Sequence, residues 1–374
     1  MVVPTLFGLE SFTAREVRAL GYETTAVEDG RVTFVGDAEA VALSNLWIRT
    51  GERVLIKIAE FDAFTFDELF EKTKAAPWDE WIGKDAAFPV KGHTLKSKLA
   101  SERDCQAIIK KAVADSLSAS YKIDWLEESG PVYQIQFSIR KDRVTLMIDT
   151  SGDGLHKRGY RKVSNDAPLR ETIASAMIQM SHWKWEYPLA DPFCGSGTIP
   201  IEAAMIKRNI APGLRRSFAA EAFVQIPEEV WAQAREEAAE LQKDVPLDIW
   251  ASDIDSDAVN IAKENARLAG VEEFVKPRVL DARKFSKDKP YGTIVSNPPY
   301  GERISTVREC EALYRDMGKW LSVLDNWAYY ILVPHEGFER LFGRKANKKR
   351  KIYNGMIRCD VYQYFGARPP FQKK

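Results

Sequence analysis

Cysteine and histidine are both scarce in this 374-residue chain, at four of each. Cys105, Cys194, Cys310 and Cys359 lie far apart, with no C-x-x-C pair and no Cys/His cluster. That excludes a disulfide framework and a zinc site, and it fits a reducing compartment. Long apolar runs are missing as well. Tyr329-Tyr330-Ile331-Leu332-Val333 stops at Pro334, far short of the roughly 20 residues a membrane helix needs. Met1-Val2-Val3-Pro4 has no basic stretch ahead of an apolar core, so no secretory leader is expected. Together these absences predict a soluble, cytoplasmic, monomeric protein with no metal and no membrane partner.

Net charge is also absent, with 54 Lys+Arg against 54 Asp+Glu. What remains is an ordinary globular composition, 45% hydrophobic and 29% charged, which excludes disordered and collagen-like chains. The zero conceals a segregation of charge. Residues 1–90 carry a net of −7, whereas residues 340–374 carry +10. Residues 91–111 and 156–170 each carry +4. A single basic run is usually a solvated face. Three in one chain point to a basic surface suited to a polyanion.

Residues 1–56 alternate short strands and helices, with Ser11 or Thr13 as a candidate cap of the first helix and Gly21 as its end. Residues 57–160 continue in the same style. A helix spans Asp67–Lys74, a strand ends at Val90-Lys91, and a basic helix runs from about Ser101 to Ser118. Strands at Val132–Arg140 and Arg143–Asp149 are joined by a tight turn at Lys141-Asp142. From about Ala167 the pattern changes to buried strands alternating with longer helices. Each apolar strand ends in a polar residue: Asp191, Asp253, Asp281 and Asn297. In an open parallel α/β sheet, the carboxyl edge is where ligands bind.

Asp191-Pro192-Phe193-Cys194-Gly195-Ser196-Gly197-Thr198 joins one such strand to a helix, and its glycines let backbone amides approach a ligand. The missing Gly-Lys-Ser/Thr excludes a P-loop. A dinucleotide site calls for an acid about 20 residues past the glycines, but Asp253 lies 56 residues beyond Gly197, behind an acidic insertion at residues 221–244. A nucleoside ligand without pyrophosphate, tolerant of positive charge, meets these conditions: S-adenosylmethionine. In this reading Asp191 lies near its amino group, and Pro192, Cys194, Gly195, Ser196, Gly197 and Thr198 pass under the methionine part. Asp253 accepts the ribose hydroxyls, Ile254 covers an adenine face, and Asp281 with Ala282 meets the adenine amino group. Helix capping is the alternative for Asp253 and Asp255, with Asp255 or Ser256 assigned to the cap. A simple turn is the alternative for Asp281.

Asn297-Pro298-Pro299-Tyr300 follows the next strand. The Asn297 side-chain carbonyl and the Pro298 backbone carbonyl are placed to accept both hydrogens of a ring-attached amino group. Pro299 stiffens the turn, and Tyr300 offers a stacking surface for an extruded base, typically worth about 1–3 kcal/mol. The set resembles class I amino-methyltransferases acting on exocyclic nitrogens of bases, with the glycine loop ahead of the catalytic tetrapeptide.

The front half separates RNA from DNA as the substrate. Val90-Lys91-Gly92-His93-Thr94-Leu95-Lys96-Ser97-Lys98, the helix that follows, and Asp149 to Arg161 resemble the RNA-binding THUMP domain. Ala167-Pro168-Leu169-Arg170-Glu171-Thr172 is similar to the junction in bacterial THUMP-containing rRNA guanine-N2 methyltransferases. That family often carries an N6-adenine DNA methylase label because of its N-P-P-Y. The resemblance implies an α+β front and an α/β back: a ferredoxin-like module at 1–56, THUMP at 57–160 and a Rossmann-like methyltransferase at 161–374. It implies methylation of guanine N2 in 23S rRNA of the large subunit, with S-adenosyl-L-methionine as cofactor. Some relatives carry a second fused methyltransferase, whose modification is not transferred to this chain. Candidate RNA contacts are Lys91, His93, Lys96, Lys98, Arg103, Arg158, Tyr160 and Arg161. For His93 the alternative is a structural histidine, and for the last three it is interdomain packing. Competing functions are an inactive RNA-binding assembly factor and an adenine-N6 DNA methyltransferase.

Overall fold

The computed structural model describes residues 1–161, 168–286, 289–300, 306–324, 326–355 and 357–367. Lys162 and Ala167 of the junction, and the last basic residues beyond 367, lie outside them.

The front half is one mixed sheet of seven strands covered by helices. In chain order its elements are β1 (Val2–Pro4), α1 (Glu10–Ala19), β2 (Thr24–Glu28), β3 (Arg31–Phe34), α2 (Ala38–Trp47) and β4 (Leu55–Asp62). They continue with α3 (Phe66–Lys74), β5 (Val90–Leu95), α4 (Glu102–Tyr121), β6 (Ile135–Arg140) and β7 (Arg143–Asp149). The strand order β2-β3-β1-β4-β7-β6-β5 is continuous. The two front modules therefore share one sheet, with β4 pairing to β1 on one side and to β7 on the other.

Local signals explain most boundaries. Asp37, Thr65 and Ser101 cap α2, α3 and α4 by accepting an amide three residues on. Lys141 and Asp142 both adopt positive φ, 51° and 67°, as a two-residue hairpin turn requires. At α1 the expected cap is displaced. Leu9 is the N-cap without a side-chain bond, and the Glu10 carboxylate takes the Gly8 and Gly30 amides instead. The strand expected to end at Val90-Lys91 begins there, because β5 runs parallel to β6 through Leu95.

The back half contains α5 (Glu171–Ser181), β8 (Leu189–Asp191), α6 (Thr198–Lys207), α7 (Glu228–Glu240), β9 (Ile249–Asp253), α8 (Ser256–Ala269) and β10 (Arg278–Val279). It ends with β11 (Thr293–Ser296), α9 (Val307–Leu321), β12 (Ala328–Val333), α10 (Phe338–Phe342), β13 (Lys348–Asn354) and β14 (Ile357–Tyr364). The order is β10-β9-β8-β11-β12-β14-β13, with the first five strands parallel and β14 running antiparallel to its neighbours β12 and β13. From β8 the chain proceeds outward to β9 and β10, then returns to place β11 on the other side of β8. The crevice between β8 and β11 is thus the topological switch point of the sheet. One helix layer buries Ile173, Met177, Ile201 and Ala262 against this sheet, and the other buries Tyr314, Met317, Phe338 and Phe342.

The acidic insertion is no free appendage. Phe218, Phe223, Ile226, Trp231 and Ala234 belong to the hydrophobic core of the front half. Phe223 stacks on Tyr133 at 4.0 Å, and Phe218 on Trp231 at 5.4 Å. Trp78 and Trp183 are buried, as a core role requires, whereas Trp185 is exposed. Among the described residues no helix is long and apolar enough to cross a membrane, and no group of His, Cys, Asp or Glu is arranged to hold a metal.

Candidate active site

The switch-point crevice gathers three of the four strand-end residues. Asp191 closes β8 and is buried. Its Oδ1 accepts from the Ser296 hydroxyl of β11 at 2.5 Å and from the Phe193 amide at 3.2 Å. Burial, reinforced by the charge of Asp253, pushes its carboxyl up to about 7 against the pull of those two bonds. A cation placed beside it would restore the ionised form.

Asp253 at the end of β9 accepts from the Gly195 amide at 2.9 Å through Oδ2 and from the Asp255 amide at 3.1 Å through Oδ1. Each carboxylate oxygen carries two acceptor sites, so one on each oxygen remains for a vicinal pair of hydroxyls. Asp255 is the cap of α8, accepting from Asp257 at 2.8 Å. The cap thus falls to Asp255, and Asp253 keeps free acceptor sites at the strand end. Ile254 between them is 68% exposed, an apolar surface beside polar groups that suits the face of a heterocycle.

The glycine loop owes its shape to both glycines. Gly195 has φ +50° and Gly197 φ +83°, conformations that other residues enter at a cost. A Cβ on Gly197 would lie 3.0 Å from the Ala262 Cβ of α8, whereas one on Gly195 would meet nothing within 4 Å. Gly197 lets helix and loop close, and Gly195 keeps open space above the loop. Ser196 is fastened from below, its carbonyl accepting from Asn265 at 2.9 Å. Thr198 opens α6 and its hydroxyl accepts from Arg161 at 2.6 Å. Cys194 is buried, and its thiol is pushed well above the ordinary value first by burial and then by Asp191 and Asp253. It stays protonated and is no nucleophile. Pro192 in this loop and Ala282 after β10 are both buried.

Asp281 lies two residues past β10. There it caps a short turn and holds Arg283 at 2.6 Å. That guanidinium keeps its carboxyl down at about 2. Asp281 is thus ionised, but its nearest donor is an arginine on its own turn.

Asn297 follows β11 directly. Its Oδ1 is buried without a hydrogen-bond partner among the described residues, a costly state for an amide carbonyl unless something else supplies the donor. The Pro299 carbonyl accepts from Tyr314 at 2.9 Å, which leaves Pro298 as the carbonyl assigned to a second hydrogen. The Tyr300 hydroxyl accepts from Asn354, at the tip of the β13–β14 hairpin, at 3.4 Å.

Lys91, His93, Lys96, Lys98 and Arg103 are all exposed. Lys91 and His93 share the outward face of β5, an edge strand. Lys96 and Lys98 line a cavity of about 370 Å³ with Thr94, Ser97, Ala100 and Asp142. His93 Nε2 lies 3.3 Å from the Ser138 hydroxyl. Arg158 and Tyr160 lie apart from this exposed group, in the interior between the halves. Both are buried, Arg158 pairing with Glu202 at 3.4 Å and Tyr160 bonding the same carboxylate at 3.3 Å. They fasten the halves together from the inside, and Arg158 reaches only the wall of the interdomain cavity. Arg161 faces inward too, paired with Glu171 at 3.2 Å.

Sequence reasoning missed Ser296, Asn265, Tyr314 and Asn354. Only Asn265 carries a local signal, a polar residue on the otherwise alanine-rich buried face of α8.

Family models match this chain in three successive blocks. The RlmL ferredoxin-like domain matches residues 1–55, the THUMP domain 63–149, and the RMKL-like methyltransferase domain 158–363. YpsC of Bacillus subtilis (strain 168), named provisionally as an RNA methyltransferase, is 46% identical over all of this chain and 98% of its own length. The ribosomal RNA large subunit methyltransferase K/L of Syntrophotalea carbinolica is 33% identical over 97% of this chain. The match spans 54% of that relative, about half its length. Two crystal structures share the architecture. One, from Listeria monocytogenes and described as a predicted N6-adenine-specific DNA methylase, is 47% identical with a TM-score of 0.93, covering 98% of this chain and 96% of that one. The other, SMU.472 complexed with SAH, is 42% identical with a TM-score of 0.93, covering 99% and 98%. This chain therefore belongs to the RMKL-like methyltransferase family, its catalytic domain preceded by ferredoxin-like and THUMP domains.

Proposed function

We propose that the protein transfers a methyl group from S-adenosyl-L-methionine to the exocyclic N2 amino group of a guanine in 23S rRNA. The observation that carries this reading is the buried Asn297 Oδ1 at the switch point, which has no hydrogen-bond partner among the described residues. It lies beside a second carbonyl and a half-buried tyrosine. A planar amino group supplies the missing donors. The bound cofactor supplies an electrophilic methyl on a sulfonium.

The chain's own residues do the rest by position. Asn297 Oδ1 and the Pro298 carbonyl each accept one amino hydrogen, which favours a pyramidal nitrogen with its lone pair turned to the methyl donor. Tyr300 stacks on the extruded base. The nitrogen would take the methyl carbon as its bond to sulfur breaks, the cofactor leaving as the neutral thioether, and would lose a proton to solvent afterwards, so no strong general base is required. Asp191 and Asp253 hold the amino and ribose groups of the cofactor, while the space above Gly195 receives its methionine part. The donor set fits the group: an anionic site for an ammonium, two acceptors for two hydroxyls, and an exposed Ile254 for the adenine.

THUMP and the K/L relative favour ribosomal RNA as substrate, whereas N-P-P-Y is equally suited to adenine N6. Methyl-labelled cofactor, incubated with unmodified 23S rRNA, tRNA and duplex DNA, separates the readings. Label recovered as N2-methylguanosine from 23S rRNA supports the proposal. Recovery as N6-methyladenine in DNA overturns it.

A further inference from the structure

A second cavity, about 660 Å³, opens where the two halves of the chain meet, within the range of ligand sites. Its walls come from the end of the front half and Arg161, from Pro168 to the start of α5, and from Arg216 and Ser217 between α6 and α7. They carry Lys157, Arg158, Arg161, Arg170 and Arg216 beside His156. Asp153 and Glu171 also line it.

The charges do not balance. Lys157 is paired with Asp153 at 2.8 Å, an exposed pair of little weight. Arg170 pairs with Glu52 at 3.0 Å, and Arg158 with Glu202. Arg161 has Glu171, but burial pushes that carboxyl up to about 7, so at neutral pH it carries only part of its charge. The Arg161 Nε is buried without a partner among the described residues. Arg216 is in no ion pair among them. Its guanidinium is held by the carbonyls of Gly154, Lys157, Ser151 and Asp153, which fix its direction and leave its charge in place. His156 reports the same field. Burial and then Arg170, Arg158, Lys157 and Arg216 hold its ring down at about 4, although Glu52 lies 3.8 Å away.

We propose that this interdomain cavity is a phosphodiester site, holding the RNA backbone next to the nucleotide presented at Asn297. The inference rests on the RNA-methyltransferase reading and names where that substrate is held. The excess of cations specifies an anion, and arginine forks suit phosphate oxygens. The position selects the RNA backbone: one wall ends the THUMP half, and Arg161 spans from the cavity to Thr198 of the glycine loop.

The test uses Lys157→Ala and Arg170→Gln together, since both side chains are substantially exposed. The readouts are affinity for a 23S rRNA fragment across a salt series, cofactor affinity by calorimetry, and Tm. Expected are RNA binding weakened by about tenfold or more, a log–log salt slope reduced by roughly 1–2, and unchanged cofactor affinity and Tm. RNA affinity within twofold of wild type overturns the site, and so does a loss confined to the cofactor. Inorganic phosphate titrated against the wild type gives a second readout, by NMR of the His156 ring assigned with His156→Gln. A bound anion offsets the four cations facing that ring and raises its pKa, whereas an unmoved titration overturns the site. A wild type that methylates no RNA defeats the functional reading instead. A wild type that methylates RNA as well as the double variant does defeats only this site.

Discussion

At the scale of single residues the chemistry rests on carbonyl and carboxylate oxygens in unusual surroundings. Asn297→Ala removes the acceptor that the amino group meets in the transition state, and methyl transfer is expected to fall by roughly 10²–10³-fold. Measured under single-turnover conditions, an unchanged rate would remove Asn297 from the mechanism. Asp191 makes a pH prediction. Its carboxyl, near 7 in the folded chain, takes a proton more readily than it does unfolded. It therefore costs stability as pH rises from about 4 towards 7, the reverse of a salt-bridged carboxylate. A cationic ligand requires the ionised form, so cofactor affinity should rise with pH up to about 7, and binding below that point should release a proton. Calorimetry in buffers of different ionisation enthalpy reads that proton directly, and zero release at pH 6 would refute the assignment. These residues were legible because each follows an apolar strand. Ser296, which bonds Asp191, was not, since nothing local marks a serine one residue before Asn297 as facing a neighbouring strand.

At the scale of elements the glycine loop shows how one turn serves packing and binding together. Gly197→Ala forces a side chain into φ +83° and against Ala262 of α8. The expected loss is about 1–3 kcal/mol of stability, visible as a lowered Tm with or without cofactor. Gly195→Ala, with open space around its Cβ, is expected to lower cofactor affinity more than Tm. Equal effects of the two substitutions on both readouts would show that the glycines do not divide the work. The turn at Lys141-Asp142 and the caps of α2, α3 and α4 could be read from the sequence because their causes lie within four residues. β5 could not be bounded, because its length is fixed by pairing with β6 some 45 residues later.

At the scale of the whole molecule the halves are joined by buried polar contacts as well as by apolar packing. Glu202 receives Arg158, Tyr160 and Ser175 in the interior. Glu202→Ala strands the Arg158 charge, and removing one partner of a buried pair typically costs about 3–5 kcal/mol. Denaturant unfolding of the variant is expected at a markedly lower midpoint, and an unchanged midpoint would show that the junction carries no net energy. No sequence window could reveal this. Arg158 and Tyr160 read as an RNA-facing Arg-Gly-Tyr-Arg stretch, and only the fold brings Glu202, more than 40 residues away, beneath them. The acidic insertion was equally opaque, because its aromatics serve the core of the other half. Charge remained informative at this scale. The chain is neutral in sum, yet the stretch at residues 91–111 and the lining of the interdomain cavity are basic.

Arg350 on β13 donates to the Gly8 carbonyl at 2.9 and 2.6 Å and to the Ser11 hydroxyl at 3.0 Å, joining residues 342 positions apart. On the ribosome the front sheet emerges long before β13 exists. This clasp cannot close while the nascent chain is still short of residue 350. The front sheet is therefore formed without this clasp through most of synthesis, and the β13–β14 hairpin is fastened to it only after the last strands leave the exit tunnel.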